Sequence, residues 1–97
     1  LAKLAAEAEK SKSGQPHVAL GQAYLSYGEI DKAIAALEKG ISIGTGVIDI
    51  DEANISLGIA YLKKGQKEQA RKAFNTVKDD SKWNELADLW VIRTQAA

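Results

Sequence analysis

The chain has 97 residues, of which 45% are hydrophobic and 27% charged, a composition typical of one small globular domain. Thirteen basic residues balance thirteen acidic ones, which argues against a nucleic-acid binder, because such proteins usually carry a basic excess. The lack of cysteine excludes disulfides, thiol catalysis and thiolate metal sites. No apolar run is long enough for membrane insertion and no secretory signal is visible, so localisation stays open between cytoplasm and periplasm.

Glycine and proline divide the first half of the sequence into three predicted helices. The first, residues 1–12, is alanine-rich and amphipathic. Pro16 suits a first helical turn, so a second helix is predicted over residues 16–27. The third is predicted over residues 30–41, and we expect it to end early because Gly40 inside a helix costs about 1 kcal/mol relative to alanine.

The second half of the sequence predicts three more helices and no strand. Asp49 lies three residues before a glutamate, and this pair resembles a capping box, so a fourth helix is predicted over residues 49–64. A fifth is predicted over residues 67–78. A final helix, capped by Ser81, is predicted over residues 82–94.

The sequence repeats with an offset of 37 residues, and eight of the 21 positions over residues 20–40 are identical to their partners. Such fixed-period similarity is typical of a solenoid, in which helix hairpins bury their faces by stacking. Gly21 and Gly58 have no side chain, so a neighbouring helix can approach closely. Leu37 and Phe74 are predicted to fill the space beside them.

These repeated residues resemble the tetratricopeptide repeat family, whose pattern runs Trp-x2-Leu-Gly-x2-Tyr and then Ala-x3-Phe over 34 residues. The pattern positions are held in the first copy by His17, Leu20, Gly21, Tyr24, Ala33 and Leu37, in the second by Asn54, Leu57, Gly58, Tyr61, Ala70 and Phe74, and in an incomplete third by Trp83, Leu86, Ala87 and Trp90.

The resemblance implies an all-α fold, a right-handed alpha-alpha superhelix of antiparallel helix hairpins with two full repeats at residues 14–47 and 48–79. The N-terminal helix, residues 1–13, would be the second helix of a preceding repeat. Residues 80–97 would form a C-terminal helix that is an incomplete third repeat or a cap. The stretched loop between repeats predicts a joint looser than the family's average, and the missing start methionine predicts a fragment of a longer, bacterial-looking repeat protein.

The resemblance also implies a non-catalytic scaffold, without cofactor or metal, that holds a peptide or helix segment of another protein in a concave, partly apolar groove. The first helix of each repeat would line this groove. Helical spacing gives twelve candidate groove residues: Gln15, Val18, Gln22, Leu25, Ser26, Glu52, Ile55, Ile59, Leu62, Lys63, Asn84 and Asp88. The three apolar residues on the fourth helix (Ile55, Ile59 and Leu62) have two interpretations, as inter-repeat core or as the floor of the groove.

Family members that grip a chaperone's C-terminus use lysine and asparagine where this chain has Val18 and Gln22, so co-chaperone activity is not expected. His17 has no partners at metal-ligand spacing, which favours a packing role. The apolar final helix allows an alternative function, an end cap or self-association module without a ligand, and an accessory domain tethered to an enzyme in a longer chain is a third alternative.

Overall fold

A computed structural model describes residues 1–96 of the chain, with side chains through Gln95. Its regular elements in chain order are α1 (Ala2–Lys10), α2 (Gln15–Ser26), α3 (Ile30–Ile43), α4 (Ile50–Lys64), α5 (Lys67–Asn75) and α6 (Asn84–Ala96). Each helix packs against the next, and α2 also contacts α4, within a body of 39 × 28 × 17 Å. The predicted all-α architecture of sequentially packed hairpins is confirmed, with α2–α3 and α4–α5 as the two complete repeats.

One hydrophobic cluster lies at each junction between units. Ala8, Leu20 and Ala36 join α1 to the first repeat. The clusters at the two later junctions consist of Val18, Ile34, Leu37, Ala53, Leu57, Ala60 and Ala73 between the repeats, and of Ile55, Ala70, Phe74, Val77 and Ala87 between the second repeat and α6. Each unit therefore buries its apolar face against the next one, as stacked repeats do.

The predicted close approach at the repeat glycines is confirmed in both repeats. A Cβ placed on Gly21 would lie 2.5 Å from Leu37 Cγ, and one on Gly58 would lie 2.5 Å from Phe74 Cε1. Leu37 and Phe74 are 0% and 1% exposed. The glycine of the first helix and the large residue of the returning helix thus form one packing unit, used twice.

Helix α3 does not end early at Gly40, and that prediction was wrong. The helix continues to Ile43 because Gly40 lies against Gly14, where α2 begins, and a Cβ on Gly40 would come within 2.8 Å of the Gly14 carbonyl oxygen. The close crossing of α2 and α3 at this point requires the absence of a side chain. The local cost of glycine is outweighed by tertiary contact.

The loop between the repeats is anchored to the turn before α2 rather than loose. The Gly14 N–H donates to the Thr45 carbonyl oxygen at 2.7 Å, and the Ile48 N–H donates to Gln15 Oε1 at 2.9 Å. These bonds satisfy backbone groups that a free loop would leave to water. These bonds hold the stretched loop to the first repeat, and the looser joint between the repeats stays a prediction.

The remaining helix ends agree with or correct the sequence predictions. Asp49 caps α4 as predicted, since its Oδ1 accepts from the Glu52 N–H at 3.1 Å. Helix α5 ends at Asn75 instead of residue 78. At this end the Thr76 hydroxyl donates to the Ala73 carbonyl oxygen at 2.6 Å. Helix α6 begins at residue 84 instead of 82, because Ser81 accepts from the Trp83 N–H and shapes the preceding turn.

Candidate partner-binding groove

The candidate groove lies along the first helices of the units, where α2 contacts α4 and side chains of α6 pack beside α4. Two of the twelve candidates are not on its surface. Val18 is 2% exposed and belongs to the cluster between the repeats, and Ile55 is 4% exposed and belongs to the cluster under α6. Of the two interpretations of Ile55, the structure supports inter-repeat core, because a buried side chain cannot also contact a ligand at the surface.

A polar bridge joins α2 to α4 on this surface. The Gln22 side-chain amide donates to Glu52 Oε1 at 3.1 Å and to Ser56 Oγ at 3.2 Å. Ser56 was missed by the sequence analysis, although it lies four residues after Glu52 and therefore on the same helix face. The bridge fixes the orientation of Gln22 and leaves all three side chains partly exposed.

An apolar strip continues from this bridge towards α6. Ile59 and Leu62 are half-buried and pack against the cluster under α6, as does the half-buried Val91. Leu25, on α2, is half-buried against the cluster between the repeats. The surface is therefore polar where α2 meets α4 and apolar where α4 meets α6.

The other candidates lie around this surface. Gln15 is half-exposed, and its side-chain oxygen is already bonded to the loop between the repeats. Ser26 is exposed and donates to the Ala23 carbonyl at 2.9 Å. Lys63 and Asp88 are exposed, and Asn84 is half-buried at the start of α6.

A second polar link, which the sequence analysis did not find, ties α4 to the C-terminal segment. The Trp83 indole N–H donates to Asp49 Oδ2 at 2.7 Å, while the other oxygen of Asp49 caps α4. The hydrogen bond from Trp83 is the main cause that lowers the pKa of Asp49, and the Glu52 N–H and the Lys82 charge add to it against a smaller opposing effect of burial. One carboxylate thus stabilises both the start of α4 and the position of α6.

Two further links join α3 to α4. The Tyr61 hydroxyl donates to the Glu38 carboxylate; burial, and then this bond, raise the pKa of Tyr61. Lys64 pairs with Asp31 at 2.6 Å on the exposed surface. Together with the bridge at Gln22, these contacts fix the relative placement of the two repeats.

A different helix face carries two equivalent depressions, one per repeat. The first has a volume of about 340 Å³ and lies among α1, α2 and α3; the second is about 220 Å³ and lies between α4 and α5. Their matching residues are 37 positions apart: His17, Leu20, Tyr24, Lys32 and Ala36 in the first, and Asn54, Leu57, Tyr61, Gln69 and Ala73 in the second. His17 is 4% exposed, so it packs at the base of the first depression.

Within residues 1–96, no three His, Asp or Glu side chains are grouped so that they could hold a metal ion. No helix in that range is long and apolar enough to cross a membrane.

A protein-family model described as tetratricopeptide repeat matches residues 15–43 and 51–79, which together make up more than half of the chain. These segments correspond to the two hairpins, α2 with α3 and α4 with α5. No curated protein and no solved structure matches the chain. The chain therefore belongs to the tetratricopeptide repeat family, whose repeats are generally protein–protein interaction modules and typically non-catalytic.

Proposed function

We propose that this chain is a non-catalytic scaffold that binds a peptide or helix segment of another protein along the surface of α2, α4 and α6. The observation that carries the proposal is the accessible apolar strip of Ile59 and Leu62 beside the polar bridge at Gln22. A strip of this kind suits an amphipathic helix, which would place its apolar residues on the strip and its polar residues at the bridge.

The proposed contact residues are a subset of the sequence candidates plus one addition. Gln22, Glu52, Ser56, Ile59 and Leu62 form the centre, because they are accessible and adjacent on one surface. The exposed charges of Lys63 and Asp88 lie at the edge, where they would select among partners by charge rather than supply most of the affinity. The buried Val18 and Ile55 support this surface from below.

Gln22 and Glu52 also shape the preference for a ligand. Their hydrogen bond occupies one acceptor position of the Glu52 carboxylate and leaves its charge in place. A polar backbone or side-chain group of the partner can also hydrogen-bond to Gln22, Glu52 or Ser56. We expect most of the affinity to come from apolar contacts at Ile59 and Leu62.

The proposal can be tested with peptides selected by this chain from a displayed library of random helical peptides. Titrating a selected peptide into the isotope-labelled chain should shift amide signals on α2, α4 and α6. Ile59→Asp should weaken binding by about 100-fold, because it removes an apolar contact and adds a desolvation cost. Lys72→Asp, at the second depression, is the matched control and should leave affinity within about 3-fold. Shifts confined to α3 and α5 would refute the proposed surface.

A further inference from the structure

Helix α6 carries apolar residues on two opposite faces. Its inner face buries Ala87 and Thr94, each 2% exposed, and stacks Trp90 on Phe74 with ring centroids 5.8 Å apart. Its outer face leaves the C-terminal strip, defined as Leu86, Leu89 and Ile92, exposed by 38%, 59% and 60%. A helix that is apolar on two sides normally has its second side covered by another chain or element.

Two opposite charges frame the C-terminal strip symmetrically. Glu85 lies four residues before Leu89 and Arg93 four residues after it, so each is about one helical turn away on the same face. Leu86 and Ile92 are likewise three residues on either side of Leu89. In both directions along the helix, a charged residue is followed by three apolar residues and then by a residue of the opposite charge.

We infer that the C-terminal strip pairs with the same strip of a second copy of this chain, with the two α6 helices antiparallel and related by a two-fold axis at Leu89. In that arrangement Leu89 meets its own counterpart, and Leu86 lies level with Ile92 of the second copy. Glu85 lies level with Arg93 of the second copy, and the symmetry produces this opposite-charge pair twice. Such self-complementarity is what an isologous interface requires.

The charges that the pairing needs are accessible in the single chain. Within residues 1–96, neither Glu85 nor Arg93 takes part in an ion pair, and both are exposed. The Arg93 guanidinium carbon lies 5.1 Å from the centroid of the Trp90 ring. Pairing turns the guanidinium from this ring towards the carboxylate of the second copy. The axes of packed helices are typically about 8–10 Å apart, a distance that arginine and glutamate side chains can span.

The size of the C-terminal strip sets the strength of the pairing. One half-exposed helix face per copy covers less than the roughly 1,200 Å² of a standard stable interface. The dimer is therefore weak, exchanges rapidly, and is sensitive to salt because its charge pairs lie at the edge. The C-terminal strip borders the proposed groove at Asp88, which lies four residues before Ile92 on the same helix.

The register of the pairing can be tested by charge reversal in sedimentation velocity, at chain concentrations up to about 1 mM, where weak complexes are populated. The wild-type chain should sediment as a concentration-dependent dimer. Glu85→Arg and Arg93→Glu should each raise the dissociation constant by about 10-fold, because each turns two attractive pairs into two repulsive ones. The double variant exchanges the charges and should return to within about 3-fold of wild type.

Two controls keep the result specific to this helix. Leu89→Asp places like charges at the two-fold axis and should abolish the dimer, whereas Leu4→Asp, at an exposed leucine of α1, should leave it unchanged. Far-ultraviolet circular dichroism of every variant establishes that the fold is retained. A wild-type monomer at all concentrations, a double variant as weak as the singles, or loss of the dimer in Leu4→Asp would each overturn the inference.

Discussion

The hydrogen bond between Trp83 and Asp49 predicts an energetic coupling between α4 and the C-terminal segment. Trp83→Phe keeps an aromatic ring and removes only the indole N–H and part of the buried surface. Asp49→Ala removes both the acceptor and the cap of α4. A double-mutant cycle with these two substitutions isolates the bond, because the capping term occurs on both sides of the cycle and cancels.

The expected magnitude follows from the geometry. Hydrogen bonds to charged groups contribute about 1.5–3 kcal/mol when buried. The Asp49 side chain is 27% exposed, so solvent screening places this bond near the bottom of that range despite its length of 2.7 Å. Loss of the cap adds about 1 kcal/mol. We expect Trp83→Phe to cost about 1–1.5 kcal/mol of unfolding free energy, Asp49→Ala about 2–2.5, and the coupling to be about 1 kcal/mol.

Urea unfolding followed by far-ultraviolet circular dichroism at pH 7 measures these values. Asp31→Ala is the control for removing a carboxylate, because the ion pair of Asp31 with Lys64 is on the surface and should contribute under about 0.5 kcal/mol. A coupling below about 0.3 kcal/mol, which is within the scatter of independent sites, would show that Asp49 and Trp83 act separately and would refute the reasoning.

The same bond predicts a dependence of stability on acid pH. Because the Trp83 hydrogen bond lowers the pKa of Asp49 below its ordinary value of 3.8, the folded state favours the ionised carboxylate. Its contribution is complete above that ordinary value and is lost as pH falls through the lower pKa of the folded state. Trp83→Phe should therefore lose less stability on acidification than wild type. Equal acid losses would contradict this assignment of the main cause.

Two further substitutions test the packing. Phe74→Ala should cost about 3–5 kcal/mol in urea unfolding, because the ring is 1% exposed and stacks on Trp90; a cost below about 1 kcal/mol would contradict the packing. Gly40→Ala should destabilise by about 1–2 kcal/mol despite the better helix propensity of alanine, because its Cβ would lie 2.7 Å from Val18 Cγ2, and a stabilised variant would show that the crossing of α2 and α3 can relax.

Local and repeated features of the fold were predictable from the sequence. The cap at Asp49 is a contact over three residues, and the packing of Gly21 on Leu37 recurs at Gly58 with the same spacing, so each is encoded in a short pattern. Gly40 was misread because its effect comes from a contact with Gly14. A propensity describes one segment and contains no information on what another segment places against it.

The candidate site was predictable only as a helix face. Helical spacing assigned Val18 and Ile55 to the same side as accessible residues, but spacing does not tell whether a neighbouring repeat covers that part of the face. The bond from Trp83 to Asp49 spans 34 residues and has no equivalent in the first repeat, so the repeat pattern gave no signal for it. Ser56 could have been found, since it lies one turn from Glu52.

The contact between Gly14 and Gly40 also limits how far the two repeats are interchangeable. The residues 37 positions later are Asp51 and Val77, which are 8% and 7% exposed, so the second repeat has no glycine pair at these positions. Gly14→Asp with Gly40→Val, which would give the first repeat the residues of the second, would place a carboxylate and an isopropyl group at a crossing where even a Cβ lies too close to its neighbours. The close crossing of α2 and α3 is thus not a shared property of the two repeats, and an array built from copies of the first hairpin has to keep both glycines.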